Sequence, residues 1–421
     1  MRVLWFTNIP MPAVDRRTGR PTVGSGHWMK VLLEALRRRG TETLGVVTAY
    51  PRIPDLEFEE EGIRYWTIDQ PRFFSQLACR EADLERCGAI VRQFTPDVIH
   101  VHGSERFFGL LEARRLVAPP IVISLQGILS ACLPTFFGAL RIPDVVAATR
   151  LLELATRRGL PWEYLDFRRG ARQEEEILRG ARAILGRTAW DRAQLRARND
   201  EATYHLVGEL LRAEFSERYW ALGACRRERV FVTNVGHPRR GTETLLEATA
   251  VLARRRPGLR LALAGSIDLR TGYGRWLRER IERLGLAGRV DLLGFLDGPA
   301  LARELAASHA FVIASYAENS PNSLCEAMRV GLPCVAAYAG GIPSLVEEGR
   351  TGLLFPPGDA AQLAARLEEV LGDDALAVRL GQAARTEATR RHDHELVLGQ
   401  LLGAYRDAVS RGRAGAEWTR P

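Results

Sequence analysis

The sequence predicts an α/β chain of two Rossmann-like, doubly wound domains facing across a cleft, and three observations carry that expectation. Apolar runs of strand length alternate with segments of helical periodicity in both halves of the chain. A length of 421 residues suffices for two full cores. The first half opens on a strand, a glycine loop, a helix and a second strand, the beginning of a doubly wound sheet.

In chain order, RVLWF at 2–6 reads as the first strand. Gly24-Ser25-Gly26 then precedes a helix over 27–38, with Met29, Val31, Leu32, Leu33 and Leu36 as its apolar residues; Gly40 closes it, and 44–48 is the next strand. Gly24 and Gly26 stand where a backbone can approach a phosphate, although a lone GxG is weakly specific. DVIHVHG (97–103) and IVISLQG (121–127) are apolar strands that end in polar residues and glycine. Ligands gather at the C-terminal ends of such strands, so His102 and Gln126 are cleft candidates; the alternative for His102 is a hydrogen-bonded structural histidine. Residues 128–175 are the least regular. Phe136, Phe137, Ile142, Val145, Val146, Leu151, Leu152 and Leu154 are interspersed there with Arg141, Arg150, Arg157 and Arg158. This stretch reads as a membrane-surface segment, an acceptor groove or a core-facing helical insertion.

The domain boundary is expected near 210–228, giving an N-terminal domain over 1–210 and a C-terminal domain over 228–395. Strand and helix segments alternate again at 230–235, 242–254, 259–264, 275–284 and 290–293. A terminal helix covers 396–412, and AGAEWTRP reads as a frayed tail.

Composition narrows the class. Hydrophobic content of 46% with 26% charge is ordinary for a globular protein. No apolar run approaches the roughly 20 residues that cross a bilayer, and MRVLWFTNIP reads as a strand without a signal-peptide cleavage site. The six cysteines show no CxxC pairing or metal spacing, which suits buried thiols in a reducing cytoplasm. The net charge is +8, and Lys30 is the one lysine beside many arginines. Arginine suits anionic donors and anionic lipid surfaces, and a coding bias toward arginine explains the composition equally well. The sequence carries no aromatic-interleaved basic stripe, so nucleic acid is not expected as a partner.

The most informative stretch is SYAENSPNSLCEAMRVGLPCVAAYAGG, 315–341. An apolar strand at 310–314 enters it, Ser320 is placed as a helix cap and Pro321 as the first helical residue, and Gly331 and Pro333 end the helix. Free amides at that helix start suit a phosphate or diphosphate, with Asn319, Asn322 and Ser323 beside it. Glu318 and Glu326, eight residues apart, suit hydroxyls on either side of an anionic centre, as in a nucleotide-sugar. On spacing alone, a capping Glu318 and a solvated Glu326 are equally compatible.

This segment resembles the Glu-x7-Glu signature of the retaining GT-B glycosyltransferases of family 4. AGGIPSLVEEGRTGLLFPPGD resembles that family's Gly-Gly-x-x-Glu continuation. ISLQGILSACLPTFFG, GRTAWDRAQL and ELLRAEFSERYW resemble a bacterial surface-polysaccharide subgroup more loosely. The resemblance implies a GT-B fold whose terminal helix returns to the first domain. It also implies transfer of a hexose-type sugar from a nucleotide diphosphate to a hydroxyl acceptor with retention. In that reading Glu318 holds donor-sugar hydroxyls and Glu326 the ribose. NVGHPRRGTETLLEA (234–248) resembles the family's Arg…Lys-Gly loop in compressed form. Arg240, with His237 or Arg239, then neutralises the diphosphate, and Gly24, Gly26 and Gly265 complete the donor set. Two departures stand out. Gln126 replaces a frequent histidine and cannot titrate near neutral pH, and Pro321 replaces a frequent glycine and supplies no amide.

No Asp-x-Asp motif stands at a strand end, so no metal and no other cofactor is expected beside the co-substrate. The expected acceptor is a glycan or lipid-linked intermediate, met in the cytoplasm with peripheral contact at the inner membrane face. A nucleotide-sugar epimerase and a non-catalytic nucleotide-binding scaffold are the rival readings.

Overall fold

The computed structural model describes residues 1–20, 26–40, 42–70, 79–265 and 267–417, the side chains of 27 and 413–417 excepted. The chain divides into two units. One comprises Met1–Leu133, Asp166–Leu210 and His392–Pro421; the other comprises Pro134–Leu165 and Leu211–Arg391.

The first unit is built on strands β1 (Arg2–Thr7), β2 (Thr43–Pro51), β3 (Glu57–Glu60), β4 (Ile63–Gln70), β5 (Val98–His102), β6 (Ile121–Ser124), β7 (Ala183–Gly186) and β8 (Thr203–Leu206). They form one sheet in the order β3-β4-β2-β1-β5-β6-β7-β8, parallel except for the β3–β4 pair. Both faces are covered, so the central strands β1, β5 and β6 are buried along nearly their whole length, His100 and His102 of β5 included. In β1, Val3 and Trp5 enter one core with Met29, Leu32 and Leu36 of the helix His27–Arg39, while Leu4 and Phe6 enter the other with Phe94, Phe107 and Phe108. The sheet reverses direction between β1 and β5, which pair with Val3 opposite Val98. That reversal is its topological switch point.

The second unit carries β9 (Arg229–Thr233), β10 (Arg260–Ala264), β11 (Val290–Gly294), β12 (Ala310–Ile313), β13 (Cys334–Ala337) and β14 (Leu353–Phe355). The order is β11-β10-β9-β12-β13-β14, all parallel, with the switch point between β9 and β12. Phe231, Phe311, Val312 and Val335 lie at its centre without solvent exposure.

Both units therefore have the expected Rossmann-like architecture, but their boundaries differ from the sequence expectation of a continuous 1–210 domain. Pro134–Leu165 belongs to the second unit. Phe137 and Leu140 pack on that unit's core, Ala148 and Leu160 are part of it, and the buried Glu153 accepts the Gly272 amide at 2.8 Å. The irregular 128–175 stretch resolves into short helices, among them Ile142–Ala147 and Leu151–Ala155, followed by the long helix Leu160–Gly180. Residues 392–395, placed with the C-terminal domain by the sequence, lie in the first unit. There the helix His394–Glu417 buries Val397, Leu401 and Tyr405 against the β1 face. The six cysteines form no disulfide, and four of them are buried.

Candidate functional site

In the second unit, the loops after β9 and β12 meet at the switch point. The segment after β9 turns through Pro238–Arg240 into Gly241, whose φ is +66°. A Cβ on Gly241 would lie 2.1 Å from the Ala314 carbonyl oxygen, so only glycine lets this loop lie against the end of β12. The Tyr316 amide donates to the Arg239 carbonyl at 2.9 Å, and the Thr242 hydroxyl donates to the Val235 carbonyl at 3.0 Å. Two backbone segments about 75 residues apart are thus held edge to edge.

Their side chains meet as well. Arg240 donates through Nη1 to Glu318 Oε1, which also accepts the Ser315 hydroxyl at 2.9 Å. The Glu318 backbone is fixed from a third loop, because the Gly341 amide donates to its carbonyl at 2.8 Å. Gly340 adopts φ +54°, and a Cβ there would stand 2.0 Å from that same carbonyl oxygen. The helix following Glu318 spans Asn322–Val330, one residue later than the sequence suggested. Pro321 occupies the cap position with an extended ψ of 114° and no side-chain cap, while Ser320 and Asn319 are buried. The Leu324 and Cys325 amides turn back to the Pro321 carbonyl at 3.0 and 3.3 Å. Asn322 and Ser323 therefore present the amides that have no intrahelical acceptor, suited to an anion.

Glu326 is not the solvated helix residue that spacing alone allowed. It is 6% exposed and accepts from Arg212 Nη2 at 2.8 Å. Arg212 was not identified from the sequence; its segment was read for subgroup likeness only. Gly265, at the end of β10, has φ +112° and donates its amide to the Gly294 carbonyl at 2.7 Å.

His237 stands in its neutral form. Burial, reinforced by Arg239 and Arg240, pushes its pKa down to about 3. Phe136 packs edge-on against it at 4.7 Å, and Phe137 and Tyr164 flank Phe136. The Arg239 amide donates to His237 Nδ1 at 3.1 Å, so the proton of the neutral ring sits on Nε2, a donor without charge. Fixed positive charge at this loop comes from Arg239 and Arg240, both partly exposed. Behind them Glu243, pushed up to about 7 by burial, accepts the Tyr273 hydroxyl at 3.3 Å and the Ala139 amide at 3.4 Å.

In the first unit, Gly24 lies outside the described residues. Gly26 stands at the start of the helix His27–Arg39 with φ +71°, and its carbonyl accepts the Met29 and Lys30 amides at 3.1 and 3.3 Å. His102 does not face an open strand end. It is 1% exposed, with ring centroids 4.2 Å from Trp5 and 3.8 Å from His100, and burial holds its pKa well below the usual range. Among the described residues neither ring nitrogen has a hydrogen-bond partner, so it is not the satisfied core histidine either. Its neighbour His100 is satisfied, by Tyr405 Oη and Ser124 Oγ at 2.6 Å each.

Gln126 is partly exposed just beyond β6, with Nε2 buried and without a hydrogen-bond partner among the described residues. Its loop is pinned by Glu174, which accepts the Ser104 hydroxyl at 2.7 Å and the Ser130 amide at 3.0 Å and is raised to about 7 by burial. At the first unit's switch point, Asn8 Nδ2 donates to Glu105 Oε1 at 2.7 Å.

Comparison with known proteins adds the wider context. Residues 226–387 match the domain described as glycosyl transferases group 1, and residues 24–208 match the glycosyl transferase 4-like domain. The chain is 27% identical over 362 residues to the sulfoquinovosyl transferase SQD2 of Arabidopsis thaliana, covering 85% of this chain and 65% of that protein. Among solved structures, sucrose-phosphate synthase from Thermosynechococcus elongatus superposes with a TM-score of 0.73 at 20% identity, over 98% of this chain and 100% of that one. HepE of Anabaena, in complex with UDP and glucose, gives 0.64 at 19% identity, over 97% and 100%. These structural likenesses are of fold, and the fold is GT-B.

Proposed function

Because the chain belongs to the glycosyltransferases described by the group 1 and 4-like domains, we propose that it moves a sugar from a nucleotide diphosphate donor to a hydroxyl acceptor with retention of configuration. One observation carries the reading. The switch point of the second unit brings together two arginines, a carboxylate and a helix start with two available amides. Diphosphate departure develops negative charge, and Arg239, Arg240, the neutral Nε2–H of His237 and the Asn322 and Ser323 amides suit it without a metal ion. Glu318 accepts hydroxyls of the transferred sugar. Glu326, fixed by Arg212, stands about one turn into the same helix as the candidate ribose acceptor. The UDP held by HepE, a protein of the same fold, supports a nucleotide-sugar donor.

In this reading Glu318, held by Arg240, binds the sugar without attacking it, and the acceptor oxygen attacks the anomeric carbon on the face from which diphosphate leaves. The new C–O bond forms as the old one breaks, and the acceptor proton passes to the departing phosphate oxygen. The acceptor is a glycan or lipid-linked intermediate, reached at the cytoplasmic face of a membrane.

A thermal-shift panel of nucleoside diphosphates and their sugars, with and without EDTA, tests the donor assignment. A rise in Tm with one diphosphate and its sugar, unchanged by EDTA, is expected; no rise with any of them overturns it. A second reading, nucleotide binding without turnover, is favoured by Arg240 and Glu318 holding each other. It predicts the same shift but no release of diphosphate with any acceptor.

A further inference from the structure

The segment Pro134–Leu165 has two dissimilar sides. Its root is clamped to the second unit: the Ala139 amide meets Glu243, Arg150 Nη1 donates to the Arg270 carbonyl at 2.6 Å, and Glu153 accepts the Gly272 amide. Its outer side is apolar. Six of the fourteen exposed large hydrophobic side chains among the described residues fall in this segment. Ile142 is 82% exposed, Leu151 85% and Val146 68%, on the two short helices Ile142–Ala147 and Leu151–Ala155. Scattered single apolar residues are normal on a surface, but such a concentration marks an interaction site.

The charges on the same segment are sorted. Asp144 and Glu153 turn toward backbone amides, accepting from Arg141 N at 3.1 Å and Arg150 N at 2.9 Å. Arg141, Arg157 and Arg158 are exposed. The outward face thus combines aliphatic side chains with guanidinium groups, while two of the segment's three carboxylates are occupied inside it; the third, Glu163, is exposed. A protein partner would be expected to carry its own apolar patch and acidic groups. A bilayer with anionic headgroups supplies both complements at once and needs no particular partner fold.

We propose that the face formed by Ile142, Val146, Leu151 and Leu152 with Arg141, Arg157 and Arg158 docks on an anionic lipid surface. The aliphatic side chains enter the headgroup boundary and the guanidiniums meet lipid phosphates. The arginine component is screened by salt, since the Debye length is about 8 Å at physiological ionic strength.

Vesicle flotation of the full chain tests this. Vesicles of phosphatidylcholine with phosphatidylglycerol should carry the protein upward, and pure phosphatidylcholine should carry on the order of tenfold less. Arg157→Ser should weaken partition about fivefold. The pair Leu151→Ser and Leu152→Ser should weaken it by on the order of tenfold. Both substitutions are at exposed positions, and an unchanged Tm verifies that the variants fold. Three outcomes overturn the proposal: no flotation with anionic vesicles, equal flotation with neutral ones, or flotation that ignores both variants. Sedimentation velocity adds a fourth, a dimer of the free protein that Leu151→Ser dissolves, which would assign the face to a second copy. Flotation reads the surface and the nucleotide Tm shift reads the site, so failure of one leaves the other standing.

Discussion

Arg240 and Glu318, 78 residues apart in the chain, are bound to each other at the switch point of the second unit, with the Ser315 hydroxyl on the same carboxylate oxygen. The cation that suits a leaving diphosphate and the carboxylate that suits the sugar are therefore one unit. Neither can be changed without freeing the other.

Arg240→Ala should lower kcat by about a hundredfold, the order seen when one preorganised charge donor is removed from a transition state. Arg240→Lys should recover part of that. The check is donor turnover at saturating acceptor. Equal loss in the alanine and lysine variants would point to geometry instead of charge.

Glu326→Ala leaves the Arg212 guanidinium, whose side chain is 12% exposed, without that partner. A destabilisation of about 3 kcal/mol is expected by analogy with broken buried pairs. Adding Arg212→Met should restore part of the Tm, whereas nucleotide affinity should stay low in the double variant. Full recovery of affinity would remove Glu326 from the ribose.

Gly340→Ala should be costly despite its small size, because the new Cβ would sit 2.0 Å from the Glu318 carbonyl and φ is +54°. A loss of about 2 kcal/mol in stability is expected, with a larger fractional loss of turnover. Gly349, also at positive φ but with open space around its Cβ position, serves as the control. Its alanine variant should lose stability and keep turnover.

Glu174 gives a pH signature. Its folded-state pKa is raised to about 7 by burial, above the ordinary 4.5, so the folded state holds a proton that the unfolded state has released. The stability this contributes is whole below pH 4.5 and lost as pH rises through about 7. Glu174→Gln cannot ionise, so its Tm relative to the parent should rise between pH 5 and 8.5. A constant difference across that range would refute the buried-acid assignment.

The sequence was most informative where chemistry is local. Apolar runs such as 98–101 and 310–313 became central strands because both faces of each sheet are covered. Glu318 stands out by its spacing from Glu326 at a strand–helix junction, whereas Arg240 enters only through the resemblance of the loop at 234–248 to the family's Arg…Lys-Gly loop. What was not legible depended on distant partners. Nothing around Glu326 in sequence indicates Arg212, 114 residues earlier. His237 reads as a cation until Phe136 is seen against it, 101 residues away and in a segment that no local pattern places there. His102 ends an apolar strand, as ligand-facing residues do, yet Trp5, His100 and Trp28 surround its ring.

The terminal helix has a consequence for how the molecule is made. Trp5 Nε1 donates to Tyr405 Oη at 3.1 Å, so the tyrosine hydroxyl's own proton is left for His100. Strand β1 thus waits for the helix His394–Glu417 before its core closes, with the whole second unit synthesised in between. A fragment ending at residue 210 would expose the β1 face that Val397, Leu401 and Tyr405 normally cover. The second unit's segments end at Arg391, so its core is complete in the growing chain before that of the first unit, which began earlier.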